Sequence, residues 1–241
     1  RSTSTTRFGR CSAPTATAAP APAPAPARRQ GRRLDRASAD SLRLVAITDE
    51  PGPDHDAWIA RVVAAVRGGA TMVQARAKRT SSRDLLELVR HLVSTLSVPV
   101  VVNDRADVAI MAGAAGVHLG PDDLPVASIR ELAPPSFIIG ASLGSRAELA
   151  SARGADYVGI GPAFASPSKT DAGEPLSLEE IAELQRLAGV PAVAIGGITA
   201  ANVRGLLTGC PELEGIAVVS SLFGADDVEA AARALRATIE R

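Results

Sequence analysis

The amino-acid sequence predicts the α/β fold class, as a single (β/α)8 barrel (a TIM barrel) that follows a disordered N-terminal extension. From Leu42 onward, short runs rich in β-branched residues alternate with amphipathic stretches of about 9 to 16 residues. Eight such units fit into about 200 residues, the size of a compact barrel. A doubly wound open sheet is the alternative, but such sheets usually have about five to seven strands, and no GxGxxG motif follows the first run here.

The eight predicted strands are apolar runs that end in polar or turn-forming residues. They are LRLVAITD (42–49), TMVQARA (71–77), PVVVND (99–104), GVHLG (116–120), FIIGASLG (137–144), YVGIGPAF (157–164), PAVAIGGI (191–198) and GIAVVSSLF (215–223). The clearest predicted helices lie at 56–69, 81–96, 177–189 and 226–240, and several of them begin at Asp or Ser and end at Gly, as helix caps do.

The first forty residues have a different character from the rest of the chain. Residues 1–40 lack a hydrophobic period, contain an Ala-Pro repeat and have no acidic residue before Asp35. Such a segment buries too little apolar surface to fold, and Pro-Ala repeats favour extended polyproline conformations. Its composition also resembles that of an organellar transit peptide. The sequence therefore predicts a disordered extension over 1–40 and a catalytic barrel domain over 41–241.

The composition excludes several classes of partner. The 26 basic and 26 acidic side chains balance, and aromatic residues make up 2% of the chain, so neither nucleic acid nor an anionic membrane is an expected partner. No apolar run approaches the ~18 residues needed to span a bilayer. Two cysteines form no disulfide framework, which favours a reducing, cytoplasmic location. Small-molecule substrates are expected, and a homo-oligomer stays open.

Cationic side chains lie at the end of the second predicted strand, near the mouth of the barrel. Alternation along the strand places Gln74, Arg76 and Lys78 on one face, pointing inward and upward. Chemistry in this fold sits at the carboxyl ends of the strands, and converging cations there need an anion to neutralise them. An ordinary solvated loop would explain Lys78, but it does not explain polar residues inside a strand.

Carboxylates follow the third and fourth strands. Strand 3 ends in Asn103 and Asp104, and strand 4 is followed by Asp122 and Asp123. Neighbouring barrel strands bring these groups within reach of one another, and two carboxylates facing a basic cluster suit Mg2+ bound to phosphate oxygens. Asp123 could instead cap the next helix. His118, inside strand 4, is expected to be a packed, hydrogen-bonded side chain.

The remaining strand ends predict a second anion site. The loop GPAFASPSKTDAG after strand 6 is too long and too rich in Gly and Pro for a plain connection, and such loops bind ligands or close over them. Gly196-Gly197 and Val219-Ser220 follow strands 7 and 8, where backbone amides form the recurrent phosphate site of this fold. No nucleophile–base pair stands out in the sequence. Together these features suggest Mg2+-assisted departure of a diphosphate.

Seven motifs, in order from about Leu42 to the C-terminus, resemble the thiamine-phosphate synthase family. They are VQARAK, VVNDRAD, GVHLGPDDLP, IGAS, DYVGIGPAFASPSKT, AIGGI and IAVVSS. The resemblance implies a (β/α)8 barrel that joins 4-amino-2-methyl-5-(diphosphooxymethyl)pyrimidine to a thiazole phosphate. The products would be thiamine phosphate and pyrophosphate.

The resemblance also implies three groups of site residues. The pyrimidine diphosphate would be held by Gln74, Ala75, Arg76, Ala77, Lys78, Asn103, Ser142 and Lys169. Mg2+ would be bound by Asp104 and Asp123, whereas Asp122 corresponds to a variable position. The thiazole phosphate would be held by Ser166, Pro167, Ser168, Gly197, Val219 and Ser220. Arg76, Lys78 and Lys169 would be the catalytic cations, stabilising the departing pyrophosphate in a dissociative mechanism.

The chain departs from the family pattern at two places. Ala75 and Ala77 stand where the family has Leu and Glu, which could alter pyrimidine packing or rate, and Ser replaces Thr twice in the loop after strand 6 while keeping both hydroxyls. A thiazole tautomerase is one rival, but Gly144 occupies the position of its histidine. A non-catalytic phosphate-binding barrel is another rival. Metal-dependent epimerases need paired histidines and aspartates that this chain lacks.

Overall fold

Eight short parallel strands close into a barrel in the order of the chain, which confirms the predicted fold class. The computed structural model describes residues 39–165 and 173–240. The strands are β1 Leu44–Ile47, β2 Met72–Ala75, β3 Val100–Asn103, β4 Gly116–Leu119, β5 Ile138–Leu143, β6 Tyr157–Ile160, β7 Ala192–Ile195 and β8 Gly215–Val218. Closure comes from the pairing of β1 with β8, in which Val45 lies opposite Ala217.

Side-chain alternation along the strands builds two cores. In β1, Val45 and Ile47 pack inside the barrel with Met72, whereas Leu44 and Ala46 pack outside it against the helices. The strands are buried on both faces, which is why they read in the sequence as nearly continuous apolar runs. The same alternation decides which polar side chains point into the barrel.

The four clearest predicted helices are confirmed. They are α1 His55–Arg67, α2 Ser82–Thr95, α5 Leu178–Ala188 and α8 Val228–Ile239, and an Asp or Ser side chain caps the amino end of each one. The shorter helices are α3 Ala106–Ala112, α4 Val126–Leu132, α6 Val203–Gly209 and α7 Ser220–Phe223. Two 3-10 helices complete the described elements, Ala39–Leu42 before β1 and Arg146–Ala150 after β5.

Several strands end earlier than the sequence predicts. The run 215–223 is predicted as one strand, but β8 stops at Val218 and the chain turns into α7. Leu222 and Phe223 are buried by this helix instead of by the sheet. β6 stops at Ile160, before Pro162, because proline has no N–H to donate to the ladder. The residues that follow the shortened strands β6 and β8 lie at the mouth of the barrel.

The predicted extension lies almost wholly outside the described residues, since the description begins at Ala39. Its disorder and its boundary at residue 40 therefore stay predictions. Ser41 and Leu42, directly after it, are buried. Within residues 39–165 and 173–240, no helix combines the length and the apolar character needed to cross a bilayer.

Candidate active site

Four polar side chains point inward near the carboxyl ends of neighbouring strands. They are Gln74 on β2, Asn103 on β3, His118 on β4 and Ser142 on β5. The register supports their adjacency, because Asn103 lies opposite His118 across the β3–β4 pair. Polar side chains thus gather at the barrel mouth, where the sequence predicts them. Below them the barrel is filled by apolar side chains.

The amides of Gln74 and Asn103 form one half of this ring. Gln74 is buried, with 4% of its surface exposed, and its Nε2 donates a hydrogen bond of 2.7 Å to Asn103 Oδ1. Because Asn103 accepts through its oxygen, its Nδ2 amide is the group that it can offer to a ligand. Both amides are therefore held in a defined orientation before any substrate arrives.

His118 links the other half of the ring. Its Nδ1 lies 3.0 Å from the Tyr157 hydroxyl and its Nε2 lies 3.1 Å from Ser142 Oγ. Burial lowers the pKa of His118 to about 4 and raises the pKa of Tyr157, so both groups are neutral at physiological pH. The packed histidine expected from the sequence is confirmed.

The Ser142–His118 contact has the spacing of a nucleophile–base pair, although no such pair stands out in the sequence. The two side chains are within hydrogen-bonding distance, as a serine nucleophile and its base would be. However, the lowered pKa makes His118 a weak base for removing a hydroxyl proton. The contact instead holds the Ser142 oxygen beside the His118 ring.

Glycines make the space that His118 and Tyr157 occupy. A Cβ on Gly140 would lie 2.3 Å from Tyr157 Cζ and 2.6 Å from His118 Nδ1. A Cβ on Gly159 would lie 3.3 Å from His118 Cε1. The glycines in IGAS and YVGI therefore serve side-chain packing inside the barrel.

Gly140→Ala is expected to lower the free energy of unfolding by about 3 kcal/mol, the upper end of the range for overpacking a tight core. The added methyl group has to displace the Tyr157 ring or the His118 ring, and both rings are buried. Chemical denaturation measures the change. Gly52→Ala is the matched control, because nothing lies within 4 Å of a Cβ there, and it should change stability by less than about 0.5 kcal/mol. Equal stabilities of the two variants would contradict this packing account.

Asp104 leaves β3 in an unusual backbone conformation. Its φ is +63°, which makes it the one non-glycine residue with positive φ among residues 39–165 and 173–240. Its N–H donates 2.8 Å to the carbonyl of His118, and its Oδ2 lies 3.6 Å from Lys78 Nζ. Burial raises the pKa of Asp104, and the nearby Asp123 carboxylate raises it further, while Lys78 acts in the opposite direction. The two carboxylates therefore repel each other unless a cation lies between them.

Asp123 is part of this cluster and does not cap a helix. Its Oδ2 accepts a hydrogen bond of 2.6 Å from Gly120 N, which closes the turn after β4. The N-cap residue of α4 is Pro125, which makes no side-chain capping bond, so the capping interpretation of Asp123 is wrong. Asp122 is exposed to solvent.

The Asp104–Asp123 pair fits a hard divalent cation. Within the described part of the chain, no group of three or more His, Cys, Asp or Glu residues could hold a metal by itself. Mg2+ does not require one, since it usually takes one or two protein carboxylates and completes its shell with phosphate oxygens and water. Asp104 and the neighbouring Asp123, which raises the pKa of Asp104, form a donor set of this kind.

The charged residues that follow Asp104 in the sequence have a structural role. Arg105 forms a bidentate pair with Asp107, at 2.8 and 2.6 Å, and its third nitrogen donates to Ser82 Oγ. This arrangement ties the beginning of α3 to the beginning of α2. Of the charges in VVNDRAD, only that of Asp104 therefore belongs to the cluster.

The segment after β2 differs from its prediction in detail. β2 ends at Ala75, so Arg76 lies just beyond the strand and not within it. Its place is set by main-chain bonds to Thr48, because the Thr48 hydroxyl accepts from Arg76 N at 2.9 Å and donates to Arg76 O at 3.1 Å. Ala75 is buried in the core between strands and helices, and Ala77 packs against the same core. The two alanines that depart from the family pattern thus pack on the helix side.

The predicted monophosphate site is built around two glycines with positive φ. Gly196 has φ +99° and Gly197 has φ +61°, and a Cβ on Gly197 would lie 2.5 Å from the carbonyl oxygen of Ala165. The loop after β6 is therefore packed against the turn after β7. α7 begins at Ser220, directly after its N-cap residue Val219, and Ser221 Oγ donates to the carbonyl of Ile198.

Four predicted site residues lie outside the described residues. They are Ser166, Pro167, Ser168 and Lys169, between Ala165 and Gly173. Their roles stay predictions. Thr48 and Glu50, which contact the segment after β2, are missing from the sequence-based site. A signal for them existed, since the polar run Thr-Asp-Glu follows the first apolar strand as polar residues follow β2, β3 and β4.

Comparisons with known proteins identify the family. Residues 44–222 match the family model of thiamine monophosphate synthase. A thiamine-phosphate synthase from Methanoculleus marisnigri is 47% identical over 201 residues, which cover 80% of this chain and 93% of that protein. One from Chloroflexus aurantiacus is 43% identical over 205 residues, covering 82% and 92% of the two chains.

Solved structures agree with these sequence matches. The thiamine phosphate pyrophosphorylase from Pyrococcus furiosus is 38% identical, with a TM-score of 0.73, and the match covers 84% of this chain and 97% of that one. A 3-hexulose-6-phosphate synthase, at 17% identity and a TM-score of 0.62, shares the fold alone. The family model spans most of the barrel, and the synthases from Methanoculleus marisnigri and Chloroflexus aurantiacus match over nearly their whole length. The chain belongs to the thiamine-phosphate synthase family.

Proposed function

We propose that this protein is a transferase of thiamine biosynthesis that joins an aminopyrimidine-methyl diphosphate to a thiazole phosphate, releasing pyrophosphate. The main support for the proposal is that three features lie together at one mouth of the barrel. These are a ring of neutral polar groups, a cluster of Lys78 with two carboxylates, and the glycine turn beside α7. The three suit a neutral heterocycle, a diphosphate with its metal, and a monophosphate.

Neutral groups are suited to the pyrimidine. Gln74 and Asn103 are oriented by their mutual hydrogen bond, and Ser142 Oγ is held beside His118, so these polar groups are in place for a ligand. A heterocycle with ring nitrogens and an amino group requires such hydrogen bonds, and it requires no charge from the protein. Lys78 stands at the edge of the ring, where the diphosphate of the same substrate would extend.

Mg2+ would be held by Asp104 and Asp123, whose mutual repulsion is relieved by a divalent cation. When bound, the metal would neutralise charge on the diphosphate oxygens. The protein's own cations, Arg76, Lys78 and Lys169, would stabilise the negative charge that grows on the leaving pyrophosphate. The electron-rich pyrimidine would carry the positive charge at its methylene carbon until the thiazole nitrogen attacks. The protein contributes orientation and electrostatics to this step, and no covalent intermediate with a side chain is needed.

The turn after β7 and the beginning of α7 would hold the thiazole phosphate. The positive φ values of Gly196 and Gly197 bring the backbone close to the loop after β6. Ser220 is exposed and is the first residue of α7, a position at which a helical N–H has no partner within the helix. The loop residues Ser166, Pro167 and Ser168 would close this site from the other side.

The use of lysine in the chain supports the proposal. The sequence contains two lysines, Lys78 and Lys169, and its other 24 basic residues are arginines. Arginine and lysine are not interchangeable at a phosphate, because the ammonium is a compact point charge and the guanidinium is a planar fork. The two lysines of the chain are thus at positions proposed to meet the diphosphate.

Pyrophosphate release by the purified protein tests the proposal. We expect release to require both phosphorylated heterocycles and Mg2+, and omission of each component is the control. Aromatisation of a thiazole tautomer without pyrophosphate release would favour the tautomerase, although Gly144 offers only its N–H, which is bonded to Glu148. No turnover with either assay would favour a non-catalytic phosphate-binding barrel. The cytoplasmic location and the oligomeric state are not addressed by this assay and stay predictions.

A further inference from the structure

Residues that directly follow β1 support the segment after β2, which carries the proposed cations Arg76 and Lys78. Thr48 is fully buried and bonds to the N–H and the carbonyl of Arg76, as described above. Two residues further on, Glu50 reaches the next part of the same segment. Thr48 and Glu50 therefore both hydrogen-bond to the segment after β2.

Glu50 accepts three hydrogen bonds from this segment. Its Oε2 accepts from Lys78 N at 2.9 Å, and its Oε1 accepts from Arg79 N at 2.6 Å and from Thr80 Oγ1 at 3.3 Å. Hydrogen bonds to a carboxylate are roughly twice as strong as those between neutral groups. The bonds hold the backbone of Lys78 at a point where the strand has already ended.

The Lys78 side chain needs such support. About half of it is exposed, at 53%, and its ion pair with Asp104 is long, at 3.6 Å. An exposed pair of this kind contributes little to holding a flexible side chain. The position of its Cα therefore determines where the ammonium can reach, and Glu50 fixes that position through the backbone.

We propose that Glu50 is a positioning residue for Lys78 in the diphosphate site. The inference rests on the proposed function, because it assigns Lys78 to the diphosphate. Its carboxylate does not contact the substrate, since its oxygens are directed to the backbone of residues 78 and 79. Without it, the segment after β2 loses its link to β1 at Lys78 and the ammonium is displaced from the diphosphate. Displacements of about 1 Å can cost roughly 10²-fold in rate.

Kinetics of Glu50→Ala and Glu50→Gln test this role. Glu50→Ala should lower kcat/KM for the pyrimidine diphosphate by roughly 10- to 10²-fold and leave KM for the thiazole phosphate unchanged. Glu50→Gln keeps one acceptor oxygen and should recover part of the loss. Glu87→Ala is the matched control, because Glu87 is exposed on α2, where it pairs with Arg90, and this variant should behave as the wild type.

Two further measurements separate positioning from a purely structural role. In a Lys78→Ala background, Glu50→Ala should cost little more, since residues that act through each other are not additive. Pyrophosphate binding measured by calorimetry should be weaker in Glu50→Ala than in the wild type, while the melting temperature stays close to that of Glu87→Ala. An equal rise in KM for both substrates, or a full additional loss in the Lys78→Ala background, would overturn the positioning role. A wild-type protein with neither turnover nor pyrophosphate binding would overturn the proposed function and this inference together.

Discussion

Asp104→Asn is expected to raise the Mg2+ concentration needed for half-maximal activity by about 10²-fold or more while leaving the fold intact. Changes to the partners of metal ligands already cost about 10- to 10²-fold in affinity, and a ligand should matter at least as much. The backbone conformation should not change, because asparagine tolerates the positive φ of +63° that Asp104 adopts. The amide is isosteric with the carboxylate, so the change removes the charge and one acceptor oxygen without a change in size.

Companion variants show whether Asp104 and Asp123 act as a unit. Asp123→Asn should behave like Asp104→Asn, and the double variant should lose little more than either single variant. Asp122→Asn is the control, because Asp122 is exposed and outside the cluster. Activity against Mg2+ concentration, Mn2+ binding by electron paramagnetic resonance, and circular dichroism together measure the effect. Wild-type metal dependence in Asp104→Asn would reduce Asp104 to a turn residue and remove the metal from the proposal.

Lys169→Ala is expected to lower kcat by roughly 10²-fold or more, the scale of removing one preorganised charge that stabilises a transition state. The long loop after β6 would bring this ammonium to the diphosphate while negative charge grows on the leaving group. An interaction that strengthens in the transition state appears in kcat and not only in KM. Steady-state kinetics with the pyrimidine diphosphate varied at saturating thiazole phosphate measures both constants.

Lys169→Arg is the matched variant for this experiment. It keeps the charge and changes its shape, so it should retain more activity than Lys169→Ala while remaining below the wild type. The loss of activity is simple to assign, because the sequence contains one other lysine, Lys78. A Lys169→Ala variant that changed KM alone would assign uniform binding to this residue and would contradict a role in the departure step.

The structure refines the sequence-based site mainly at β2. Alternation predicts that Gln74 faces inward, and its bond to Asn103 agrees with that position. The same alternation cannot be extended to Arg76, because the strand has ended and main-chain bonds to Thr48 set its position. Ala75 was assigned to the substrate by resemblance, whereas its side chain lies in the helix-facing core. Its backbone is the part that could reach a ligand.

The barrel, and the mouth at which its polar groups gather, can both be predicted from the sequence. Both follow from local patterns, since buried parallel strands read as apolar runs and the residue after each strand is fixed by chain order. The contact of Ser142 with His118 and the bonds from Glu50 to the backbone of Lys78 could not be predicted in this way. These partners are 24 and 28 residues apart in the chain, and they meet only because neighbouring strands align in one register. That register results from closing eight strands into one barrel, which depends on the packing of the whole chain and not on any single motif.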